Sequence, residues 1–394
     1  MLSSYLNTLK SKVNKIGHLK SIGSNELLFI LEKCSGGNEL KDQEIILLLN
    51  SLSQPKNRSL ILDYSSSYQR PFDDHILLLS PLYFSSICEN KCLYCNFSNN
   101  GYRLSFKEFE CELNKIIEMG YHNIELVSGQ DPELFEHQKN FQIDQQYFNI
   151  DKTLEYFKIA NDIIEKKDNG MLISNIPPVD DLSFSKLIEY GLDCFLLWLE
   201  TFDPFQYAKL HYSQGPKANQ AFRIDSLERA LQLGVKHIAG AFLKGLSDWK
   251  KEEFYLYKMD RYLKKKYGKG FSIIGTPRLK GRFQKSKIVK DFVVSDEDYE
   301  LNVALDRILF DGILWYQTRE SFKTNLRLIT KYGGGVILTL DCHTAPGGYY
   351  KPFPTKSQFP VSNPGQLKTI PELKKKGFKI LFNWGNHTLS KLQR

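Results

Sequence analysis

Nowhere does this sequence reach the roughly 18 uninterrupted apolar residues of a membrane-spanning helix. Its N-terminus, MLSSYLNTLKSKVNKIGHLK, has neither the apolar stretch nor the small-residue cleavage site of a secretory leader. Both absences predict a cytoplasmic chain with no membrane partner. Cysteine is sparse too, seven residues in 394 and an odd number. A long cytoplasmic protein is a poor setting for a disulfide framework, so clustered cysteines are expected to bind metal or to react. Cys34, Cys111 and Cys194 stand alone in apolar surroundings and read as small buried side chains. There is no low-complexity tract and no repeat of solenoid period. The formal charge is +8, but its clearest clusters, YLKKKYGKG at 262–270 and ELKKKGFK at 372–379, end helical patterns, where lysines oppose the negative end of the helix dipole. No nucleic-acid motif accompanies them, which argues against a nucleic-acid partner.

What is present is ample core material, 42% hydrophobic residues. In residues 1–72, NELLFILEKCSG and LKDQEIILLLNSLS place apolar residues at helical spacing, which predicts a helical N-terminal extension. From 73 to 350 short apolar strands alternate with amphipathic helices, the pattern of parallel strands joined by helical crossovers. The strand segments are HILLLSPLYF, NIELVSG, GMLISNI, CFLLWLE, HIAGAFL, FSIIGTP, ILWYQT and VILTLD. Eight strands with intervening helices predict an α/β fold, a (β/α)8 barrel of the TIM type, with residues 351–394 as a C-terminal extension closing it. Chemistry in such a barrel sits where strands end.

Directly after the first strand, SPLYFSSICENKCLYCNF brings together Cys88, Cys92 and Cys95 and supplies no fourth cysteine nearby. Four thiolates close a structural zinc or iron-sulfur site; three leave one metal position for something exogenous. A zinc knuckle completed by a remote His or Cys is the plain alternative. The C-x3-C-x2-C spacing, with Tyr94 just before the last cysteine and Phe97 two residues after it, resembles the radical S-adenosylmethionine (SAM) superfamily. That resemblance implies a [4Fe-4S] cluster on the three cysteines, SAM on the open iron, and reductive cleavage to a 5'-deoxyadenosyl radical by an electron donor such as flavodoxin or ferredoxin.

The later strand ends resemble one branch of that superfamily, the aromatic amino acid lyases (the 2-iminoacetate synthase, tyrosine lyase and tryptophan lyase family). ELVSGQDPE resembles the branch's TGE element, with Gln130 where an acidic residue accepts from the SAM amine; an amide oxygen still accepts, without the charge. The stretch LWLETFDPFQYAKLHYSQGPKANQAFR resembles a motif in which Glu200 would take the ribose hydroxyls and Arg223 the SAM carboxylate, with His211, Gly215 and Lys217 spaced between. IAGAFLKGLSDWK would supply backbone and apolar contacts to adenine around Ala241, followed by Asp248 and Trp249. GTPRLKG and DCHTAPGGY match further segments. Only Cys342 lies beyond Cys194, so a second cluster has no ligands.

The branch implies hydrogen abstraction from the amino group of a free aromatic amino acid, followed by fragmentation beside Cα. An amino acid needs a cation for its carboxylate, and Arg319 offers a planar two-pronged donor at the end of the seventh strand. Tyr316, Cys342, His343 and Thr344 are candidate pocket lining. Two other readings share these motifs: a radical enzyme of the same fold that adds the adenosyl radical to an unsaturated substrate, and a noncatalytic cluster-binding scaffold.

Overall fold

The computed structural model describes residues 1–18, 21–137, 148–165, 170–211, 215–362 and 365–392. Ten strands form one sheet: β1 (His75–Leu78), β2 (Ser80–Ser85), β3 (Asn123–Ser128), β4 (Met171–Asn175), β5 (Cys194–Glu200), β6 (His237–Phe242), β7 (Ile273–Gly275), β8 (Ile313–Tyr316), β9 (Val336–Leu338) and β10 (Lys379–Leu381). Their order is β10-β1-β9-β8-β7-β6-β5-β4-β3-β2. Every pairing is parallel. Parallel neighbours need crossovers, and helices such as Phe106–Glu118, Gln220–Gln232 and Asp296–Leu309 supply them on the outer face.

The first predicted strand is two strands. β1 pairs with β9 and β2 with β3, and Leu79 between them still donates to Leu338 O at 3.2 Å. One continuous segment therefore reaches both flanks of the sheet, which curls the sheet into a barrel. The shift leaves the lower side of β1 open, and β10 from the C-terminal region pairs there. Asn123 Nδ2 completes the join by donating to Leu78 O and Phe382 O at 3.3 and 2.9 Å.

Side chains alternate across each strand. Met171, Cys194, Ile273 and Ile313, each the first residue of its strand, face inward and form an apolar floor with Trp384 and Leu389. Trp384 Nε1 donates to Leu78 O at 2.9 Å, so the indole brings no unpaired polar atom into that floor. Outward residues such as Ile124, Leu126 and Leu314 join the larger core under the helices. The N-terminal helix Leu2–Thr8 lies on the barrel's outer helices, where its first N–H groups donate to Glu228 and Asp225 at 2.6 Å each. No helix among the described residues is long and apolar enough to cross a membrane.

Candidate active site

The cysteine loop leaves β2 at the opposite end from the floor. Cys88 and Cys95 pack against Tyr83, Phe97 and Val127. Cys88 Sγ accepts from Gln130 N–H at 3.3 Å, and Cys95 Sγ from Gln358 Nε2 at 3.6 Å. The loop is tied down at its middle: Leu93 N–H donates to Leu210 O at 3.3 Å, and Tyr94 Oη lies 2.7 Å from His211 Nε2. His211 Nδ1 lies 2.8 Å from Tyr207 O, an acceptor, so Nδ1 carries the proton and Nε2 accepts from Tyr94. Burial, reinforced by Lys217, lowers the imidazole pKa to about 3 and keeps it neutral.

Burial pushes the Cys92 thiol up to about 12 and raises Cys95 as well. Thiolates there are costly until a metal supplies the opposing charge. Three thiols lining one cavity fit an iron-sulfur cluster. No three His, Cys, Asp or Glu among the described residues stand close enough to share a single ion; ligands bound to separate irons of a cluster need not.

The cavity, about 150 Å³, is lined by the three cysteines together with Tyr94, Gln130, Glu200, Lys217 and Arg223. Glu200 ends β5 with φ of 67°, a left-handed conformation unusual for a non-glycine residue, at a register shift against β6. Its carboxylate lies 2.7 Å from Lys217 Nζ and 3.8 Å from Arg223 Nη2. Burial would raise its pKa, but those two cations outweigh it and hold the group at about 2, always ionised. Arg223 is anchored by two bonds to Trp198 O, at 3.1 and 2.6 Å. Residues 212–214, inside the predicted motif, lie outside the described residues.

Gln130 is arranged differently from the sequence expectation. Its Oε1 already accepts from Asn90 Nδ2 at 2.9 Å, while its Nε2 donates to Glu89 Oε1 at 2.5 Å. The same Glu89 oxygen lies 2.7 Å from His137 Nε2. A carboxylate therefore does stand here, carried by the cysteine loop and oriented by Gln130. Gly215 closes over the pair; a Cβ there would lie 3.1 Å from both Gln130 Nε2 and Glu89 Oε1.

Arg319 lines the same cavity, its guanidinium 3.6 Å from the centre of the Phe359 ring. No carboxylate among the described residues pairs with it, and burial lowers its pKa. The neighbouring Glu320 is instead taken by Arg278, at 2.8 and 2.7 Å. Cys342 and Thr344 also line the cavity. Tyr316 does not: β8 turns Trp315 inward and Tyr316 outward, into the core beneath the helices. His343 packs on Tyr349 and Phe353, with ring centres 4.7 and 5.8 Å apart, away from the cavity. Ala241 faces inward beside Trp198 without lining the cavity itself, its Cβ set against Gly275. Asp248 caps the helix Trp249–Tyr267. Lining residues absent from the sequence prediction include Tyr83, Glu125, Asn175, Trp198, Trp315, Gln358 and Phe359.

Residues 82–257 match the model of the radical SAM superfamily. The chain thus contains a radical SAM domain, whose cofactors are a [4Fe-4S] cluster and SAM. Within that class it is similar to 2-iminoacetate synthase from Escherichia coli (strain K12), 25% identical over 335 residues that cover 84% of this chain and 83% of the relative. A 3-methylornithine synthase from Methanosarcina acetivorans is 28% identical over 204 residues, half of this chain and 53% of its own. Among solved structures, the [FeFe]-hydrogenase maturase HydG from Carboxydothermus hydrogenoformans is 26% identical with a TM-score of 0.77, covering 97% of this chain and 84% of that one. A second HydG structure gives 25% and 0.79 over 95% and 80%. Methylornithine synthase, at 18% identity and TM-score 0.65 over 92% and 99%, shares the fold.

Proposed function

We propose that this protein is a cytoplasmic radical SAM lyase that fragments a free aromatic L-amino acid, tyrosine first and tryptophan second. One observation carries the reading: Arg319, a desolvated cation without a carboxylate partner among the described residues, faces the cavity that the three cysteines line. Its flat guanidinium, stacked on Phe359, is shaped to take an amino acid's carboxylate in two parallel hydrogen bonds. The motif resemblance along residues 74–350 and the similarity to 2-iminoacetate synthase support the same substrate class.

When bound on Cys88, Cys92 and Cys95, the cluster with SAM and a flavodoxin- or ferredoxin-type donor supplies the hydrogen-abstracting radical. The chain supplies position. Glu200, kept ionised by Lys217, takes the ribose hydroxyls; Arg223 takes the SAM carboxylate; Glu89, oriented by Gln130, takes its amine; and the Ala241 region borders adenine. Gln358 and Phe359 cover the cavity and exclude water that would quench radical chemistry. In this reading 73–350 is the catalytic barrel, flanked by extensions at 1–72 and 351–394. Tyr316 and His343 have no part in it. The half-chain match to 3-methylornithine synthase favours a second reading, another radical reaction on a small amino acid, in which Arg319 would serve unchanged.

Truncating one partner of a desolvated charge pair costs about 2 to 5 kcal/mol, roughly thirtyfold to a few thousandfold in affinity. Arg319→Ala should lose substrate binding to that extent while still cleaving SAM slowly without substrate. Chromatography for p-cresol from tyrosine, or methylindole products from tryptophan, beside 5'-deoxyadenosine reads the reaction. If neither amino acid stimulates SAM cleavage and Arg319→Ala matches the parent, the lyase reading fails.

A further inference from the structure

We infer that Glu125, held by Asn175, is the specificity-determining residue for the far end of the substrate side chain, and selects an amino acid whose side chain ends in an O–H or N–H donor. The inference rests on the amino acid reading above and adds what the other end of the cavity recognises.

Glu125 stands in the middle of β3. Ile124 and Leu126 on either side join the outer core, so the pleat turns Glu125 inward, where it lines the cavity and is 4% exposed. Its depth follows from the strand. Val127, the next inward residue, packs with Cys88 and Cys95, and Glu125 lies about 7 Å below it along β3. On β4 its register partner is Ile173, a member of the apolar floor. Arg319 lies past the end of β8, on the mouth side. The cavity thus has a cation near its mouth and a carboxyl toward its floor. Between them the walls include Tyr83, Trp198 and Trp315, which suit a flat apolar body.

This carboxyl is short of partners. Asn175 Nδ2 donates to Oε1 at 2.8 Å, and no other hydrogen bond reaches the group among the described residues. Tyr83 Oη, a possible donor nearby, is spent on Gln358 Oε1 at 3.0 Å. A carboxyl has about four lone-pair positions, and burying them unmade is costly. Burial accordingly raises the pKa to about 8. A side chain ending in a donor would complete the set; one ending in carbon would leave it unpaired. Sites of this kind discriminate strongly against analogues that lack the donor.

The test is calorimetric titration, under anaerobic conditions, of cluster-loaded protein with SAM present. The ligands are tyrosine, phenylalanine, tryptophan, lysine and norleucine, and the proteins are the wild type, Glu125→Gln and Glu125→Leu. Wild type should bind tyrosine more than about tenfold tighter than phenylalanine. Glu125→Gln, whose amide oxygen still accepts, should keep most of that preference, and Glu125→Leu should bring the two within about twofold without weakening phenylalanine. If wild type binds both amino acids alike, or Glu125→Leu keeps the preference, the inference falls while the lyase reading stands. If lysine is preferred over norleucine and Glu125→Leu erases that preference, the inference stands and the aromatic reading falls. If no amino acid binds wild type, the lyase reading falls and takes the inference with it. Should the leucine variant not fold, Glu125→Met, unbranched and close to glutamate in length but without a carboxyl acceptor, makes the same comparison.

Discussion

The two ends of the barrel are built from the same strands and have little else in common. β5 begins with Cys194 in the apolar floor and ends with Glu200, ionised and left-handed, beside the cysteines. β4 runs from Met171 in the floor to Asn175 at the cavity. At the floor, Trp384 and Leu389 fill the interior and the indole N–H is bonded. At the mouth stand thiols, a guanidinium with no carboxylate partner among the described residues, and a carboxylate carried on left-handed backbone. Stability and chemistry are thus separated along each strand, and the mouth can carry costly groups because the floor does not.

The sharpest way to break this division is at the cysteines. Replacing Cys88, Cys92 or Cys95 with alanine should abolish the cluster and 5'-deoxyadenosine formation while leaving thermal unfolding nearly unchanged, as read by iron and sulfide analysis beside calorimetry. Stoichiometric zinc with no iron after anaerobic reconstitution would overturn the cluster assignment. The converse experiment is Trp384→Ala, which should cost about 3–5 kcal/mol of stability and leave SAM affinity of the folded protein unaltered. A loss of SAM affinity at full stability would show that the ends are coupled.

A smaller effect is expected at Gln130. Restoring the acidic residue of the related motif by Gln130→Glu would set a second carboxylate against Glu89 and remove the donor that orients it. SAM binding should weaken about tenfold, some 1.4 kcal/mol, and Glu89→Gln added to it should recover most of the loss in a binding titration. Tighter binding in the single variant would mean that Glu89 does not carry the charge. The last contrast concerns Glu125. An unfolded glutamate titrates near about 4.3, and burial raises the folded group to about 8. Between those values the folded chain keeps a proton that the unfolded chain has lost, so this contribution is full below the lower pKa and is lost as pH rises through the upper. Denaturant midpoints should fall from about pH 5 to about pH 8, and fall less in Glu125→Gln; equal slopes would place the titration elsewhere.

These contrasts also mark what could be read from the sequence. Alternating strand and helix patterns predicted the barrel because each apolar run was short and bounded, and the cysteine spacing placed the chemistry after the first strand. HILLLSPLYF gave no sign of its break at Leu79, since an uninterrupted apolar run carries no mark of a change of partner. β10 is three residues long beside a lysine-rich helix end, too short to show a period. Tyr316 reads as pocket lining while Trp315 is the residue that faces the cavity, because a strand that is apolar on both faces does not reveal which face turns inward. Glu125 is a lone acid in an apolar strand, but it sits in mid-strand, away from the strand ends where chemistry in such a barrel is expected. Gln358 and Phe359 come from irregular chain, where no periodicity points anywhere.

The break at Leu79 has a mechanical side. Above it β2 has one strand neighbour, β3, and among the described residues its other flank takes backbone bonds only near its end, where Leu104 N–H donates to Phe84 O at 2.9 Å. At its start lies Tyr349 instead, its hydroxyl donating to Pro81 O at 2.7 Å and accepting from Ser80 Oγ at 3.2 Å. A side-chain latch closes that stretch where backbone bonds close the rest, and the segment it fastens continues directly into the cysteine loop. The wall between β2 and β9 is therefore fastened in part by a side chain, and its loosening would carry the cysteine loop with it.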